Sequence, residues 1–261
     1  MTRLADPFRI IAHRGASGYA PENTMAAFKR AVDMGCVEVE TDVCFTKDRR
    51  LLLLHDDTLD RTTNGSGHPE DFTLDELRRL DAGSWTDERL SWDRDYSGEK
   101  LISLEELFEA FGTALMYHVE IKNPTPGLVP AIIAAVAERG LLDSVFIAAV
   151  DDDASLQEAM RLAPGIRVAC APVAALRADG PRAIERCAAK GYAMVTLNAS
   201  NQSRELVELA HSLGMEARSS GIATRDRMIA ATEIGCNGMT INWPDWLMDH
   251  VRDPRGDRDG R

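Results

Sequence analysis

The stretch VEVETDV, residues 37–43, alternates apolar and acidic side chains over the length of one β-strand. Successive side chains of a strand point to opposite faces, so Glu38, Glu40 and Asp42 share one face and the valines, with Thr41, share the other. An apolar strand face has to be covered by another layer of structure. If helices cover the valines, the three carboxylates face the inside of the sheet.

A second stretch, residues 115–122, repeats this alternation. His118, Glu120 and Lys122 fall on one face, while Tyr117, Val119 and Ile121 fall on the other. Unpaired carboxylates are costly to bury, and a hard divalent cation with oxygen ligands is the simplest remedy.

The metal ligands expected from this pattern are Glu40, Asp42 and Glu120, at the ends of two adjacent strands. The alternative is that the carboxylates form strand salt bridges, for instance between Glu120 and Lys122. Glu38 lies one layer deeper, so a structural role is expected for it. His118 is expected to be a hydrogen-bonded interior histidine.

Working outward, short β-branched runs alternate with segments of helical period, as in repeated βα units around a parallel sheet. The expected strands are Arg9–His13, Val37–Val43, Leu115–Lys122, Ser144–Val150, Ile166–Ala171, Ala193–Leu197, Met215–Ser219 and Gly238–Ile241. The expected helices are Thr24–Met34, Pro130–Arg139, Ser203–Leu213 and Arg225–Ile234. This pattern predicts an α/β fold, a TIM (β/α)8 barrel. A doubly wound sheet is the alternative, but the G-x-G-x-x-G spacing after the first strand is absent.

Residues 51–100 interrupt the repeat with a possible strand at Leu51–Leu54, a polar loop and a short helix at Leu74–Leu80. We therefore expect one catalytic domain over residues 1–250, with an insertion after strand 2 at about 56–100. Trp85, Trp92 and Tyr96 in this insertion either line a pocket, contact a partner or form a small core of their own. Residues 251–261 are expected to be a charged, flexible tail.

Composition limits the classes of function. The 42 acidic and 30 basic side chains give a formal charge of −12, which argues against a nucleic-acid-binding protein but not against a small anionic substrate held through a metal. The five cysteines lack a C-x-x-C pair and are expected to be reduced thiols. The N-terminal residues lack a signal-peptide core, and no apolar run is long enough to span a membrane, so we expect a cytoplasmic protein without integral membrane association. A homo-oligomer is left open.

Two histidines stand where barrel enzymes keep catalytic groups. His13 and Arg14 end the first strand, and His55 follows the Leu51–Leu54 run, next to Asp56 and Asp57. An imidazole suits proton transfer near neutral pH, a guanidinium binds phosphate oxygens, and either aspartate could orient the His55 ring. Without the other motifs, His55 would be interpreted as a solvated loop histidine.

In this order the motifs resemble the glycerophosphodiester phosphodiesterase family. They are His13-Arg14-Gly15, Pro21-Glu22-Asn23-Thr24, Glu40-x-Asp42, His55-Asp56, Arg61-Thr62-Thr63-Asn64-Gly65 and Glu120-Ile121-Lys122. The match is close over the first half of the chain and looser beyond it.

The resemblance implies a metal-dependent phosphodiesterase on a β/α barrel, acting on a small phosphodiester such as a glycerophosphodiester. It implies one divalent cation, Mg²⁺ or Ca²⁺. The implied roles are His13 and His55 as the acid–base pair, Arg14 and Lys122 on the phosphate, Glu40, Asp42 and Glu120 as metal ligands, and Glu22 and Asn23 beside the metal.

The chain departs from the family pattern mainly in its second half. Val37 stands where relatives often have aspartate, and Ile102 where they often have proline. Residues 220–223 read SGIA in place of a Trp-Thr-x-Asn motif, and Asn237 and Asn242 replace two common aspartates. The identity of the alcohol is therefore open. A phosphodiester lyase that releases a cyclic phosphate and a non-catalytic phosphate-binding barrel are the two alternative functions.

Overall fold

A computed structural model describes residues 8–87, 90, 92 and 94–253. Eight parallel strands close into a barrel, because the first strand pairs with both the second and the last, and a ninth strand lies outside it. The predicted β/α barrel is confirmed. The predicted tail from residue 254 onward lies outside the described residues.

The strands occur close to their predicted positions. In the described part of the chain they are β1 Arg9–His13, β2 Glu38–Phe45, β3 Leu51–Leu53, β4 Met116–Ile121, β5 Val145–Val150, β6 Arg167–Ala171, β7 Met194–Asn198, β8 Glu216–Ile222 and β9 Gly238–Ile241. β3 is the strand outside the barrel, and it pairs antiparallel with the end of β2.

Helices follow most of the strands and surround the barrel. Those in the described residues are α1 Met25–Asp33, α2 Leu74–Leu77, α3 Leu104–Phe111, α4 Leu128–Glu138, α5 Asp153–Leu162, α6 Val173–Ala178, α7 Gly180–Ala189, α8 Arg204–Ser212, α9 Arg225–Glu233 and α10 Pro244–Arg252. Among residues 8–87, 90, 92 and 94–253, every helix is too short or too polar to cross a bilayer.

Strand register places the acidic residues beside one another. Asp42 on β2 pairs with Glu120 on β4, and Glu40 lies next to His13 on β1. The apolar alternate residues Val39 and Val119 are buried in the main core, which extends to the surrounding helices. Helices therefore cover the valine face, as the alternation predicted.

The deeper layer of the barrel interior is a hydrogen-bonded network. The Glu38 carboxylate accepts hydrogen bonds from His118 Nε2 at 2.9 Å and from Arg9 at 2.8 Å. Arg218 of β8 donates to Thr196 at 3.1 Å and lies 3.4 Å from His118 Nδ1. Burial lowers the pKa of His118 to about 4, so the ring is neutral and bridges the two sides. The prediction that His118 is a hydrogen-bonded interior histidine is confirmed, and a structural role for Glu38 stays a prediction.

The insertion after β2 has an apolar core of its own. Leu52 of β3 and Leu54, just after it, pack there with Leu59, Leu74 and Leu77. A capping box between Thr73 and Glu76 begins α2, which ends at Leu77, earlier than the predicted Leu80.

The C-terminal end of the described chain is more ordered than its composition predicted. Helix α10 begins with Pro244 at its first turn and runs through Arg252, so it includes the first two residues of the predicted tail. Leu247 and His250 are buried, and Leu247 packs with Met228 and Ile241. Packing of this apolar face overrides the charged composition of the segment.

Candidate active site

Three carboxylates meet at the C-terminal end of the barrel strands. Single oxygens of Glu40, Asp42 and Glu120 all lie within 4.8 Å of one another. Glu40 and Asp42 are almost fully buried, at 2% and 1% exposure. Burial and the neighbouring charges of Asp42 and Glu120 raise the pKa of Glu40 well above its usual value. The carboxylates of the cluster therefore repel one another.

Nearby cations offset this charge on one side. Arg14 Nε lies 3.1 Å and Lys122 Nζ 3.5 Å from Asp42. Although burial alone would raise it, these two cations hold the pKa of Asp42 below its usual value. Lys122 also bonds to Glu120 at 2.5 Å, so the salt bridge considered from the sequence forms beside the cluster. Three carboxylates, one with a raised pKa, fit a hard divalent cation.

The side chain of Asn23 holds Asp42 in place. Its Nδ2 donates to Asp42 Oδ2 at 3.0 Å, and its Oδ1 accepts from Thr41 at 2.9 Å. Asn23 has a left-handed backbone with φ of 57°, a conformation that asparagine tolerates better than most residues. The next residue, Thr24, caps α1. This segment therefore fixes one carboxylate of the cluster.

The imidazole of His13 is oriented by a residue from the other end of the chain. His13 Nδ1 lies 2.6 Å from Asn242 Oδ1, while Nε2 lies 3.7 Å from Glu40. An amide oxygen accepts but does not donate, so Nδ1 carries the proton and Nε2 has a free lone pair. Burial lowers the pKa of His13 to about 4, which keeps this ring neutral near neutral pH.

The second histidine belongs to a charged network. His55 Nδ1 hydrogen-bonds to Asp56 at 2.6 Å, so Asp56 is the aspartate that orients the ring. Arg61 donates to Asp56 at 2.5 Å and to Glu22 at 2.7 and 2.9 Å. Glu22 also accepts from Arg14 at 2.8 Å. Although burial opposes it, the hydrogen bond from Arg61 keeps the pKa of Glu22 low. Glu22 thus connects the two histidine-bearing segments.

The turn after β1 positions Arg14 through an unusual backbone. Arg14 and Gly15 have φ of 55° and 79°, and the Arg14 amide donates to Glu40 at 3.1 Å. A Cβ on Gly15 would lie 2.5 Å from the backbone carbon of Ala27 in α1. Glycine is therefore required here both by conformation and by the close approach of the helix.

Replacing Gly15 by alanine is expected to reduce the free energy of unfolding by more than the same change at Gly35. Gly35 also has positive φ, 92°, but a Cβ added there would meet nothing within 4 Å beyond its own chain neighbours. The backbone strain of alanine at positive φ should cost about 1–2 kcal/mol in both variants, and Gly15→Ala adds the collision with Ala27. Urea denaturation of both variants measures the difference. Equal losses would contradict the close approach.

Two cavities meet at the two histidines. The smaller, about 320 Å³, contains the carboxylate cluster, and the larger has about 560 Å³. They share a set of lining residues, which is His13, Arg14, His55, Ser220, Gly221 and Thr240. The opening between them therefore lies beside both imidazoles and the Arg14 guanidinium.

The structure brings every sequence-predicted site residue to this end of the barrel. Glu22 lies with the arginines rather than within the carboxylate cluster. The sequence assigned no role to Asn242, Arg61 or Arg218. Arg61 belongs to a quoted motif, and Arg218 shares strand parity with Glu216, but their partners are distant in sequence. Trp243 and Trp246, which line the larger cavity, were also missed.

Fold and site together define a class of β/α-barrel proteins with a carboxylate cluster that can hold a divalent cation. Two histidines, and an arginine and a lysine that can bind a phosphate, lie beside this cluster. More particularly, the chain belongs to the glycerophosphoryl diester phosphodiesterase family, whose model matches residues 13–246.

Named relatives agree with this assignment. A glycerophosphodiester phosphodiesterase from Caldanaerobacter subterraneus subsp. tengcongensis is 39% identical over 163 residues, which are 61% of this chain and 64% of the relative. One from Bacillus subtilis is 42% identical over 145 residues, covering 53% of this chain and 50% of the relative. These matches span less than two thirds of either relative's length.

Among solved structures, an Oleispira antarctica phosphodiesterase in complex with the product sn-glycerol-3-phosphate is 27% identical. It superposes with a TM-score of 0.79 and covers 94% of this chain and 97% of its own. The likeness therefore extends over the whole barrel, including the second half, where sequence motifs depart from the family.

Proposed function

We propose that this protein is a metal-dependent phosphodiesterase that hydrolyses glycerophosphodiesters, or a related polyol phosphodiester, to an alcohol and a phosphomonoester. The observation that carries the proposal is the joining of the Glu40, Asp42 and Glu120 cluster with His13 and His55 around one cavity. Membership of the family and the product held by the Oleispira antarctica relative support the same reaction.

The residues that would hold the cation are Glu40, Asp42 and Glu120. A bound Mg²⁺ or Ca²⁺ would supply positive charge to stabilise the phosphoryl oxygens as their charge increases. Arg14 and Lys122 flank the same carboxylates and can donate to those oxygens. Asn23 holds Asp42 in place, and Glu22 holds the Arg14 guanidinium. The substrate phosphate would therefore be held from several directions.

The two imidazoles have different partners, which favours different roles. Asn242 fixes His13 as a neutral ring with Nε2 free to accept a proton, so we assign His13 as the general base. His55 has the carboxylate of Asp56 as partner, and a carboxylate can share the positive charge of a proton-carrying ring. We assign His55 as the general acid that protonates the departing alkoxide.

The smaller cavity offers hydrogen-bonding groups for a hydroxylated arm of the substrate. Beyond the carboxylate cluster its lining includes the polar side chains Thr196, Asn198, Asn201 and Arg218, beside the apolar side chains Val150, Ala171, Val173 and Leu176. Arg218 is 3% exposed, so its charge is held at a fixed position. Amide and hydroxyl groups in a cavity of this kind suit a glycerol or similar polyol.

Hydrolysis of glycerophosphodiesters by the purified protein tests this proposal. Glycerophosphoglycerol should be cleaved with added Mg²⁺ or Ca²⁺, and excess chelator should stop the reaction. Phosphorus NMR of the products identifies a phosphomonoester if water is the nucleophile, or a cyclic phosphate if a neighbouring hydroxyl attacks. Binding of the substrate without turnover in either metal would contradict the proposal and favour a phosphate-binding barrel.

We further infer that the protein works in the cytoplasm on a small-molecule substrate. All five cysteines are buried free thiols, the state expected in a reducing compartment. Fractionation of cells followed by detection of the chain tests the location.

A further inference from the structure

The larger cavity at the catalytic end has a mixed lining. At the opening beside His13, Arg14 and His55 it is lined by charged and polar groups. Away from that opening its lining combines charged side chains, such as Glu22, Asp56 and Arg61, with a set of apolar side chains, which are Trp85, Leu90, Ile222, Ala223, Trp243 and Trp246. A phosphodiester has two ester arms. If the phosphate lies at the opening, one arm faces the smaller cavity and the other faces these apolar side chains.

The indoles of Trp243 and Trp246 form a preformed wall. Their rings are stacked, with centroids 4.6 Å apart and planes within 8°. Trp243 is 8% exposed, and a Cβ on Gly18 would lie 2.3 Å from its Nε1, so glycine is needed for the indole to occupy this place. Pro244 follows Trp243 in the sequence, at the start of α10, and restricts the backbone. The wall therefore needs little ordering when a ligand binds.

The insertion supplies the indole of Trp85. This ring packs edge-on with Trp92 at a centroid distance of 5.0 Å, and Trp92 in turn contacts Tyr96 at 5.8 Å. Trp85 therefore belongs to an aromatic group of the insertion and also lines the cavity. The sequence had left a pocket lining and a small core of the insertion as separate alternatives, and Trp85 takes part in both.

The charges around the cavity disfavour a cationic alcohol. A guanidinium already lies over two of the indoles: Arg61 over Trp85 at 5.5 Å and Arg225 over Trp246 at 4.9 Å. The carboxylates of Glu22 and Asp56 accept hydrogen bonds from arginines, and Asp87 also has a partner within the chain. A quaternary ammonium group would therefore meet carboxylates that are already paired and indole faces that already carry a cation.

We propose that the apolar side chains of this cavity bind one ester arm of the phosphodiester and select an uncharged, apolar alcohol over cationic or polyhydroxylated alcohols. Trp243 and Trp246 are the specificity-determining residues. This inference rests on the proposed phosphodiesterase function and names its preferred substrate class. An apolar arm would bury its surface against the indoles, whereas a polyol would lose water without gaining hydrogen bonds from them.

Three esters of sn-glycerol 3-phosphate test the preference: those of benzyl alcohol, choline and glycerol. All three release an alkoxide, so the comparison reports binding of the arm rather than leaving-group reactivity. We expect kcat/KM for the benzyl ester to exceed that for the choline ester by about 10- to 100-fold, the gain from burying a phenyl-sized group. A choline or glycerol ester cleaved as well as the benzyl ester would overturn the proposal.

The variant Trp246→Ala tests whether the indole wall causes the preference. It should reduce the benzyl-to-choline ratio by about tenfold, since part of the apolar surface is lost. Leu213→Ala, which removes an apolar side chain that is 42% exposed and does not line the cavity, is the control and should keep the ratio. Circular dichroism and thermal unfolding establish that both variants fold. A folded Trp246→Ala protein with an unchanged ratio would also overturn the proposal.

Failure of the inference can be told apart from failure of the proposed function. Binding of the same esters, followed by tryptophan fluorescence and calorimetry, reports occupancy of the cavity without turnover. If none of the esters is hydrolysed but the benzyl ester binds more tightly in a Trp246-dependent way, the phosphodiesterase proposal fails and the assignment of the cavity stands. If all three esters are hydrolysed without preference, the phosphodiesterase proposal stands and the assignment of the cavity fails.

Discussion

Glu40→Gln protein is expected to lose phosphodiesterase activity and divalent-cation affinity together. Glutamine has the size of glutamate but removes a charge from the carboxylate cluster. Loss of a residue that only supports a metal ligand costs roughly 10- to 100-fold in affinity or activity, so loss of a direct ligand should cost more. Calorimetric titration with Mg²⁺ and Ca²⁺, and turnover of glycerophosphoglycerol, measure the two effects.

In the absence of metal, the same substitution should not weaken the fold. Burial and the charges of Asp42 and Glu120 raise the pKa of Glu40, which means that its ionised form is disfavoured in the folded protein. A neutral side chain relieves that repulsion, and its amide oxygen can still accept from the Arg14 backbone amide. The melting temperature of metal-free Glu40→Gln protein should therefore equal or exceed that of the unsubstituted protein.

Addition of metal should reverse this order of stability. A cation that binds the folded state stabilises it, so the unsubstituted protein should gain melting temperature with Mg²⁺ or Ca²⁺ and the variant should gain little. Glu38→Gln is the matched control, because Glu38 lies on the same strand but bonds to Arg9 and His118 in the deeper layer. It should lose stability yet still respond to the metal. Full hydrolysis by Glu40→Gln, or by the unsubstituted protein in chelator, would contradict the ligand assignment.

The carboxylate cluster could be predicted because its cause is local. Alternation along β2 and β4 decides which side chains face the interior, and parallel pairing then sets Asp42 beside Glu120. The same reasoning gave the eight barrel strands to within a few residues and placed His13 at the end of β1. Repeated βα units also predicted closure of the barrel. Where a short-range pattern decides the structure, the sequence alone is sufficient to predict it.

The remainder of the site depends on contacts that no local pattern encodes. Asn242, which orients His13, is 229 residues away in sequence, and Arg218 approaches His118 across 100 residues. Both contacts follow from closure of the barrel and from the register of β8 and β9. The alternation of side chains along one strand does not determine either. The Trp243–Trp246 stack was missed for a related reason: α10 is fixed by burial of Leu247 and His250, and no helix was predicted after the last strand.

His13→Gln and His55→Gln proteins should each lose roughly 10²–10⁴-fold in turnover of an alkyl ester such as glycerophosphoglycerol, while keeping their affinity for the cation. Neither residue belongs to the carboxylate cluster, so calorimetric titration should give metal binding close to that of the unsubstituted protein. A histidine variant with undiminished turnover would remove that residue from the mechanism, and a loss of metal binding would make it a ligand.

A second substrate should separate the two histidines by role. The p-nitrophenyl ester of glycerol 3-phosphate releases a stable phenolate that needs no proton, so a general acid contributes little to its cleavage. Because Asp56 is the partner of His55 and Asn242 that of His13, we expect the loss in His55→Gln protein to shrink to about tenfold or less with this ester, as for an acid. His13→Gln protein should remain as impaired as it is with the alkyl ester. The opposite pattern would exchange the two roles, and equal losses for both esters in both variants would show that neither histidine protonates the leaving group.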